Sequence, residues 1–196
     1  MSLSILGIAG SLRRGSYNRA LLKAAAGLLP ADTVIETAEI GALPLYDADL
    51  EAAGVPAAVT VLKARVRAAD AVLIATPEYN TSVPGVLKNA LDWLSRPPDQ
   101  VLNGKPAAIM GATPGLFGTV RSQQHLRQIA AALNLLVLAK PDVFIARAAE
   151  KFDAEGELTD ERSREAVRKL LAALRDWTLR LHAAESGPGT PPPVLS

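Results

Sequence analysis

The segment "SILGIAGSLRRGSYNRALL", residues 4–22, joins a short strand-like run, a polar turn and the start of an amphipathic helix. The run from Ser4 to Ala9 has no alternation of polar and apolar residues, which is typical of a strand covered on both faces of a sheet. Leucine and alanine then recur at helical spacing from Leu21 to Leu29. A buried strand that leads directly into a helix predicts the first unit of a parallel α/β sheet.

Strands and helices alternate along the rest of the chain. Four more apolar or β-branched runs predict strands, and the segments between them carry apolar residues at helical spacing. This alternation predicts a three-layer α/β/α sandwich, in which helices cover both faces of a five-stranded parallel sheet of order 2-1-3-4-5. The predicted strands are Ser4–Ala9, Thr33–Ile40, Ala71–Thr76, Pro106–Ala112 and Asp142–Ala146.

The C-terminal part of the chain has two different patterns. Apolar residues from Val167 to Leu181 predict a long amphipathic helix with Thr159 as its N-cap. The final segment, "ESGPGTPPPVLS", is rich in proline and glycine, which is typical of a flexible tail without a core. We therefore expect a single domain over residues 1–184 and a flexible tail over residues 185–196.

Composition narrows the classes of function. The formal net charge is +1, whereas nucleic-acid binders normally show a basic excess. The chain has no cysteine, which excludes thiol catalysis and disulfides, and its two histidines argue against a zinc site. No apolar run approaches the roughly 18 residues of a membrane span, and the N-terminus lacks the basic start of a signal peptide. We expect a cytoplasmic protein that binds neither nucleic acid nor membrane.

The strand order indicates where a ligand would bind. In an open α/β sheet, ligands bind at the carboxyl ends of the strands, near the switch between the first and third strands. This rule selects the three loops that begin after Ala9, Thr76 and Ala112, which we call the first, second and third loops.

The first loop, Gly10 to Asn18, has the composition of a phosphate site. A helix N-terminus offers free N–H groups and about half a positive charge. Each hydrogen bond to a charged oxygen contributes about 1.5–3 kcal/mol, so a few of them can hold one phosphate monoester. A simpler alternative is that Ser16 only caps the helix and the arginines are solvated. The side-chain donors of the loop are Ser11, Arg13, Arg14, Ser16, Tyr17 and Asn18.

The spacing of the first loop argues against two common nucleotide motifs. Gly10 and Gly15 have the gap of a P-loop, but Ser16 stands where that motif requires lysine. The dinucleotide pattern G-x-G-x-x-G also fails, because Gly7 and Gly10 are three residues apart. A cradle for a single terminal phosphate remains.

The second loop follows the most apolar predicted strand and is stiffened by Pro77 and Pro84. Polar groups on a rigid backbone are suited to the edge of a flat heterocycle, although an ordinary proline-rich connection is an open alternative. In the third loop, Thr113 can hydrogen-bond a ligand, glycines permit close approach, and Thr119 is a predicted helix cap.

Together, three segments resemble the NADPH-dependent FMN reductase family of flavodoxin-like proteins, and most of all its bacterial chromate and quinone reductases. They are "GSLRRGSYNRAL" (residues 10–21), "TPEYNTSVPGVLKNALDWLSRP" (residues 76–97) and "GATPGLFGTVRSQQHLRQ" (residues 111–128). The resemblance implies a flavodoxin-like fold, FMN as cofactor, NADPH or NADH as co-substrate, and a homodimer or homotetramer.

The resemblance also implies roles for individual residues. Family members often have serine where this chain has Thr113, so the hydroxyl is kept. By this resemblance, Ser11, Arg13, Ser16, Tyr17 and Asn18 bind the FMN phosphate, Pro77, Glu78, Tyr79 and Asn80 line the isoalloxazine ring, and Thr113 reaches the flavin from the third loop.

The implied activity is hydride transfer from NAD(P)H, through FMN, to small acceptors such as quinones, free flavin, azo compounds or chromate, with ping-pong kinetics. No catalytic side chain is predicted, because the flavin carries the chemistry. One alternative is a flavodoxin-type FMN electron carrier without an NAD(P)H site, which the near-neutral charge disfavours. A second alternative is a non-redox module that binds a phosphate ligand.

Overall fold

The computed structural model describes residues 2–185, so the predicted tail lies outside the described residues except for Glu185, the last residue of the final helix. The strands are β1 (Leu3–Ala9), β2 (Thr33–Ala38), β3 (Ala71–Ala75), β4 (Pro106–Ala112), β5 (Leu136–Val137) and β6 (Val143–Ile145). The α-helices are α1 (Tyr17–Ala26), α2 (Ala48–Ala53), α3 (Ala57–Ala68), α4 (Gly85–Leu94), α5 (Val120–Ala132) and α6 (Glu161–Glu185).

The sheet is parallel throughout and has the order β2-β1-β3-β4-β5, with β6 also paired to β4. The predicted order 2-1-3-4-5 is therefore confirmed. The prediction of five strands is wrong in one respect, because the position beside β4 is shared by two short strands instead of one.

The split of the last strand has a local cause. Between Val137 and Val143 the chain has five residues, 138–142, whereas β4 has only Ala108 and Ile109 between their partners, Ala107 and Met110. The surplus residues must leave the ladder, and Pro141 among them has no N–H to donate to it. The predicted strand Asp142–Ala146 corresponds to β6, and β5 was not predicted.

Alternating residues of the central strands form two separate cores. Leu3 and Ile5 of β1 pack with α1 and α6 on one face of the sheet. Leu6 and Ile8 of the same strand pack with α3, α4 and α5 on the other face. β3 is fully buried along its length, as expected for a strand covered on both sides. These contacts give the predicted three-layer α/β/α sandwich.

The start of α6 differs from the prediction. The Asp160 carboxylate accepts a hydrogen bond from the backbone N–H of Ser163 at 2.9 Å, so Asp160 is the residue that caps α6. The hydroxyl of Thr159, the predicted cap, donates instead to the carbonyl of Lys151 at 3.2 Å. Among residues 2–185 we find no helix whose length and apolar composition would let it span a bilayer.

Candidate functional site

The three loops meet at the carboxyl ends of β1, β3 and β4, which are neighbours in the sheet. There they border a cavity of about 570 Å³, which we call the loop cavity. Ala112 and Pro114 complete its lining. Asn80 is exposed and does not border the cavity. Nine of the ten predicted site residues line it: Ser11, Arg13, Ser16, Tyr17, Asn18, Pro77, Glu78, Tyr79 and Thr113.

The backbone of the first loop presents free donors. Ser16 is the N-cap of α1, and its hydroxyl accepts a hydrogen bond from the N–H of Asn18 at 3.2 Å. Within residues 2–185, no backbone hydrogen bond involves the N–H groups of Arg14, Gly15 or Tyr17. Free N–H groups at the positive end of a helix form an anion site when cations accompany them. This donor set therefore fits a phosphate monoester, the terminal group of FMN.

Side chains of the first loop reinforce this positive character. The Arg13 guanidinium lies 5.8 Å from the centre of the Tyr17 ring and forms no ion pair among the described residues. The Ser11 hydroxyl lies 3.2 Å from the hydroxyl of Tyr79, so the first and second loops touch at the cavity wall. Arg13 is exposed and Ser11 is buried, which places one donor at the rim and one inside.

Asn18 has a different environment from the rest of the loop. Its side chain is buried; its Nδ2 donates to the carbonyl of Ala112 at 2.8 Å, and its Oδ1 accepts from the N–H of Ala112 at 2.9 Å. The side chain thus joins the start of α1 to the end of β4. The Oδ1 acceptor and one hydrogen of the Nδ2 amide are already used in these bonds. The role of Asn18 as a phosphate ligand stays a prediction, and only the second hydrogen of its side-chain amide is available for it.

Glu78 connects the second loop to α5. Its carboxylate accepts hydrogen bonds from the backbone N–H groups of Arg121 at 3.0 Å and Ser122 at 3.2 Å, and from Arg121 Nε at 2.6 Å. Burial alone would raise the pKa of Glu78, but hydrogen bonds from Arg121 and Ser122, with the charge of Arg121, lower it on balance. The carboxylate therefore stays charged although its side chain is only 8% exposed.

Glu78 also replaces the helix cap that the sequence suggested. Thr119 precedes α5 with a left-handed backbone (φ 66°), and its side chain makes no capping hydrogen bond. The predicted cap is therefore wrong, and Glu78, which lies 43 positions before Arg121 along the chain, performs the function. One signal was available in the sequence, since the first turn of α5 contains no acidic residue of its own.

The third loop is held by the segment that follows β6. The N–H of Thr113 donates to the carbonyl of Ile145 at 2.9 Å, and its carbonyl accepts from the N–H of Ala148 at 3.0 Å. The N–H of Arg147 donates to the carbonyl of Gly115 at 3.0 Å. Thr113 is thus fixed beside the cavity by residues 145–148, to which the sequence analysis assigned no role in the site.

The second loop contains a tight turn after Tyr79. Tyr79 and Ser82 exchange backbone hydrogen bonds at 3.0 and 3.1 Å, and Asn80 and Thr81 adopt positive φ angles of 48° and 64°. The Ser82 hydroxyl lies 2.9 Å from Nδ1 of His125 on α5. Asn80 lies on this turn and does not border the loop cavity, so its predicted contact with a flavin ring stays a prediction.

Comparison with known proteins gives a consistent result. A family model described as "NADPH-dependent FMN reductase" matches residues 3–150. The NAD(P)H-dependent FMN reductase of Pseudomonas aeruginosa is 53% identical over 179 residues, which cover 91% of this chain and 97% of that protein. The 2-hydroxy-1,4-benzoquinone reductase of a Burkholderia species is 41% identical and covers 90% and 97%, respectively.

Solved structures resemble this fold as well. FerB, a flavoenzyme NAD(P)H:(acceptor) oxidoreductase from Paracoccus denitrificans, is 36% identical with a TM-score of 0.84, and the match covers 91% of this chain and 98% of that chain. An oxidoreductase from Corynebacterium diphtheriae has a TM-score of 0.69 at 16% identity, with coverage of 91% and 98%. At that level of identity the second likeness concerns the fold alone.

Proposed function

The chain belongs to the NADPH-dependent FMN reductase family, and we propose that it passes hydride from NAD(P)H through bound FMN to small quinone-like acceptors. The sequence-based assignment to this family is confirmed, as are FMN as the cofactor and NAD(P)H as the co-substrate. The observation that carries the more specific proposal is the convergence of a phosphate-type donor set and two rigid loops on one cavity.

The chain's own residues have two tasks in this proposal. The first loop binds the phosphate through Arg13, the Ser16 hydroxyl and the free N–H groups at the start of α1. Pro77, Tyr79 and Thr113, which border the same cavity, hold the ring from the second and third loops. When bound, FMN supplies the redox chemistry, accepting hydride from NAD(P)H and passing the reducing equivalents to the acceptor.

The loops also provide electrostatic stabilisation. Fixed backbone N–H groups would stabilise, without reorganisation, the negative charge that hydride transfer places on a bound flavin ring. We assign this role to N–H groups of the second and third loops, because hydrogen bonds to residues 145–148 and the turn at Tyr79 hold both loops rigid. The proposal needs no side-chain nucleophile, in agreement with a chain that has no cysteine.

Quinones are the acceptors that the surroundings of the cavity favour. Tyr79 lines the cavity and is half exposed, and the neighbouring third loop exposes Leu116 and Phe117. Apolar and aromatic surface suits flat, weakly polar acceptors. Free flavin, azo compounds and chromate stay among the proposed acceptors, with NADPH or NADH as the hydride donor. Homodimeric or homotetrameric assembly and a cytoplasmic location also stay predictions.

Anaerobic reduction tests the proposal directly. The FMN-loaded protein is mixed with NADPH or NADH without oxygen, and the visible absorbance of the flavin is followed. We expect rapid bleaching, then recovery of the absorbance when a benzoquinone is added. A flavin that stays oxidised with both nicotinamides, yet is reduced by dithionite, would support the electron-carrier alternative instead. A protein that binds no FMN would support the non-redox module.

Steady-state kinetics test the order of the reaction. If NAD(P)H reduces the flavin and the acceptor reoxidises it at one shared cavity, the oxidised nicotinamide must leave before the acceptor binds. Double-reciprocal plots at several acceptor concentrations should then give parallel lines. Intersecting lines would show that both substrates are bound together and would contradict the ping-pong scheme.

A further inference from the structure

The Glu78–Arg121 pair places a compensated charge at the wall of the loop cavity. Glu78 is the only acidic residue among the described residues that line the cavity, whereas Arg13 is a cation on the same lining. The Arg121 guanidinium bonds to the Glu78 carboxylate and lies 4.8 Å from the centre of the Phe117 ring. One ion pair thus connects the second loop, the third loop and the start of α5.

The N-terminus of α5 adds a third charge to this arrangement. The helix has 13 residues, and its N-terminal end carries roughly half a positive charge. The Glu78 carboxylate accepts hydrogen bonds from the N–H groups of Arg121 and Ser122. Its negative charge therefore balances the positive end of the helix as well as the guanidinium of Arg121. The carboxylate therefore neutralises positive charge that would otherwise act on the contents of the cavity.

We propose that Glu78 and Arg121 set the reduction potential of FMN in the loop cavity, an inference that rests on the proposed function. Hydride transfer from NAD(P)H delivers two electrons and one proton, which leaves NAD(P)⁺ and one negative charge on the flavin ring unless a second proton follows from water. The carboxylate disfavours this added charge, and the guanidinium favours it. Each side chain acts through its field and through the loops that it joins, so both are positioning residues.

Two single substitutions separate an electrostatic role from a purely structural one. Glu78→Gln keeps an oxygen acceptor for the α5 N–H groups but removes the negative charge, so the potential should rise. Arg121→Gln keeps the backbone N–H groups and removes the positive charge, so the potential should fall. A unit charge at about 10 Å with an effective dielectric constant near 20 changes the ratio of the affinities for reduced and oxidised FMN by roughly tenfold. Tenfold equals about 30 mV for a two-electron couple.

The measurement is a dithionite titration of FMN-loaded protein against a reference dye. Expected results are opposite shifts in the two single variants and a potential near that of the parent protein in the double variant. Asp32→Asn and Arg175→Gln serve as matched controls, since that ion pair (Nε–Oδ1 2.8 Å) joins α6 to the loop before β2 and lines no part of the loop cavity; neither should shift the potential.

Each remaining outcome has a defined meaning. Shifts in the same direction, or no shift in either variant, would overturn the inference. If Glu78→Gln does not fold, Arg121→Gln still decides, because it leaves the α5 cap in place and the sign of its shift is predicted. Opposite shifts in a protein that NAD(P)H cannot reduce would contradict the proposed function alone. Failure of the parent protein to bind FMN would overturn both.

Discussion

Arg13 lies at the rim of the loop cavity with a charge that no described carboxylate compensates. A charge-assisted hydrogen bond contributes about 1.5–3 kcal/mol, so Arg13→Ala should weaken FMN binding by about 10- to 100-fold. Riboflavin lacks the phosphate, and its affinity should change little. Fluorescence titration of the apoprotein with both ligands measures the two affinities.

Arg19 offers a matched control for this substitution. It lies in the first turn of α1, directly after the first loop, but its guanidinium pairs with Glu39 at 2.6 Å, and it does not line the loop cavity. Arg19→Ala should therefore leave FMN affinity near that of the parent protein. An equal loss of riboflavin and FMN affinity in Arg13→Ala would contradict the assignment of the first loop to the phosphate.

Asn18 is expected to matter for stability even without a ligand. Asn18→Leu would leave the buried N–H and carbonyl of Ala112 unpartnered, at a cost of about 1–3 kcal/mol for each group. Ser16→Ala removes one capping bond and should cost only about 1 kcal/mol. Urea unfolding of the two apoproteins compares the losses. A smaller loss in Asn18→Leu than in Ser16→Ala would show that the Ala112 contacts do not stabilise the fold.

At the residue scale, sequence identified donors but not their partners. Ser11, Arg13 and Ser16 were predictable because they lie together in one loop between a strand and a helix, and the structure places all three at the cavity. The contacts of Asn18 with Ala112 and of Glu78 with Arg121 span 94 and 43 residues. Such pairs become visible only when the neighbouring strands are placed side by side.

Among the elements, β4 tolerates no side chain at Gly111. A Cβ atom there would lie 2.5 Å from the carbonyl oxygen of Thr76 and closer still to the Thr119 hydroxyl. The neighbours are the residue after β3 and the residue before α5, and both are held by the elements that they adjoin. Gly111→Ala should therefore destabilise the protein by about 1–3 kcal/mol, as overpacking usually does. The thermal unfolding midpoint measures this loss.

Gly85, the first residue of α4, is the control for that substitution. A Cβ at Gly85 meets nothing within 4 Å, and alanine is the better helix former. Gly85→Ala should leave the unfolding midpoint unchanged or slightly raised. A similar loss in both variants would indicate that the effect comes from glycine replacement in general and not from the close contact in β4.

The sequence predicted whole elements better than their ends and interruptions. β4 was predicted with its observed bounds because Pro106–Ala112 is continuously apolar and buried on both faces. The last strand was not, since the split into β5 and β6 depends on how many residues fit opposite β4. The cap of α6 at Asp160 instead of Thr159 shows the same uncertainty of one residue at a helix end.

In the whole molecule, topology explains why the site was predictable. The alternation of strands and helices implies the order 2-1-3-4-5, and this order brings the ends of β1, β3 and β4 together. Three loops that are far apart in sequence then share one cavity. The alternation of strands and helices could not predict the role of residues 145–148, because that role depends on hydrogen bonds to Thr113 and Gly115.

At the amino ends of the strands, opposite the loop cavity, Asp70 links the starts of β1 and β3. Its carboxylate accepts hydrogen bonds from the N–H and the hydroxyl of Ser4, both at 2.7 Å. Burial by itself would raise the pKa of Asp70, but the two hydrogen bonds from Ser4, together with the charges of His182 and Lys105, outweigh it, and the pKa is lowered from its ordinary value of 3.8. The folded protein therefore holds this carboxylate ionised to lower pH than the unfolded chain does.

This difference in pKa predicts how stability depends on pH. Below about pH 4 the unfolded chain binds a proton at Asp70 that the folded protein does not, so the contribution of Asp70 is complete above that pH and is lost as the pH falls further. Asp70→Asn cannot ionise, and its free energy of unfolding should decline less steeply between about pH 5 and pH 2 than that of the parent protein. Urea unfolding across this range measures both slopes.

FMN affinity is the control for this substitution. Because Asp70 lies at the amino ends of the strands and does not line the loop cavity, FMN affinity at neutral pH should be the same in both proteins. Parallel declines in stability would mean that the Ser4 hydrogen bonds do not favour the ionised form.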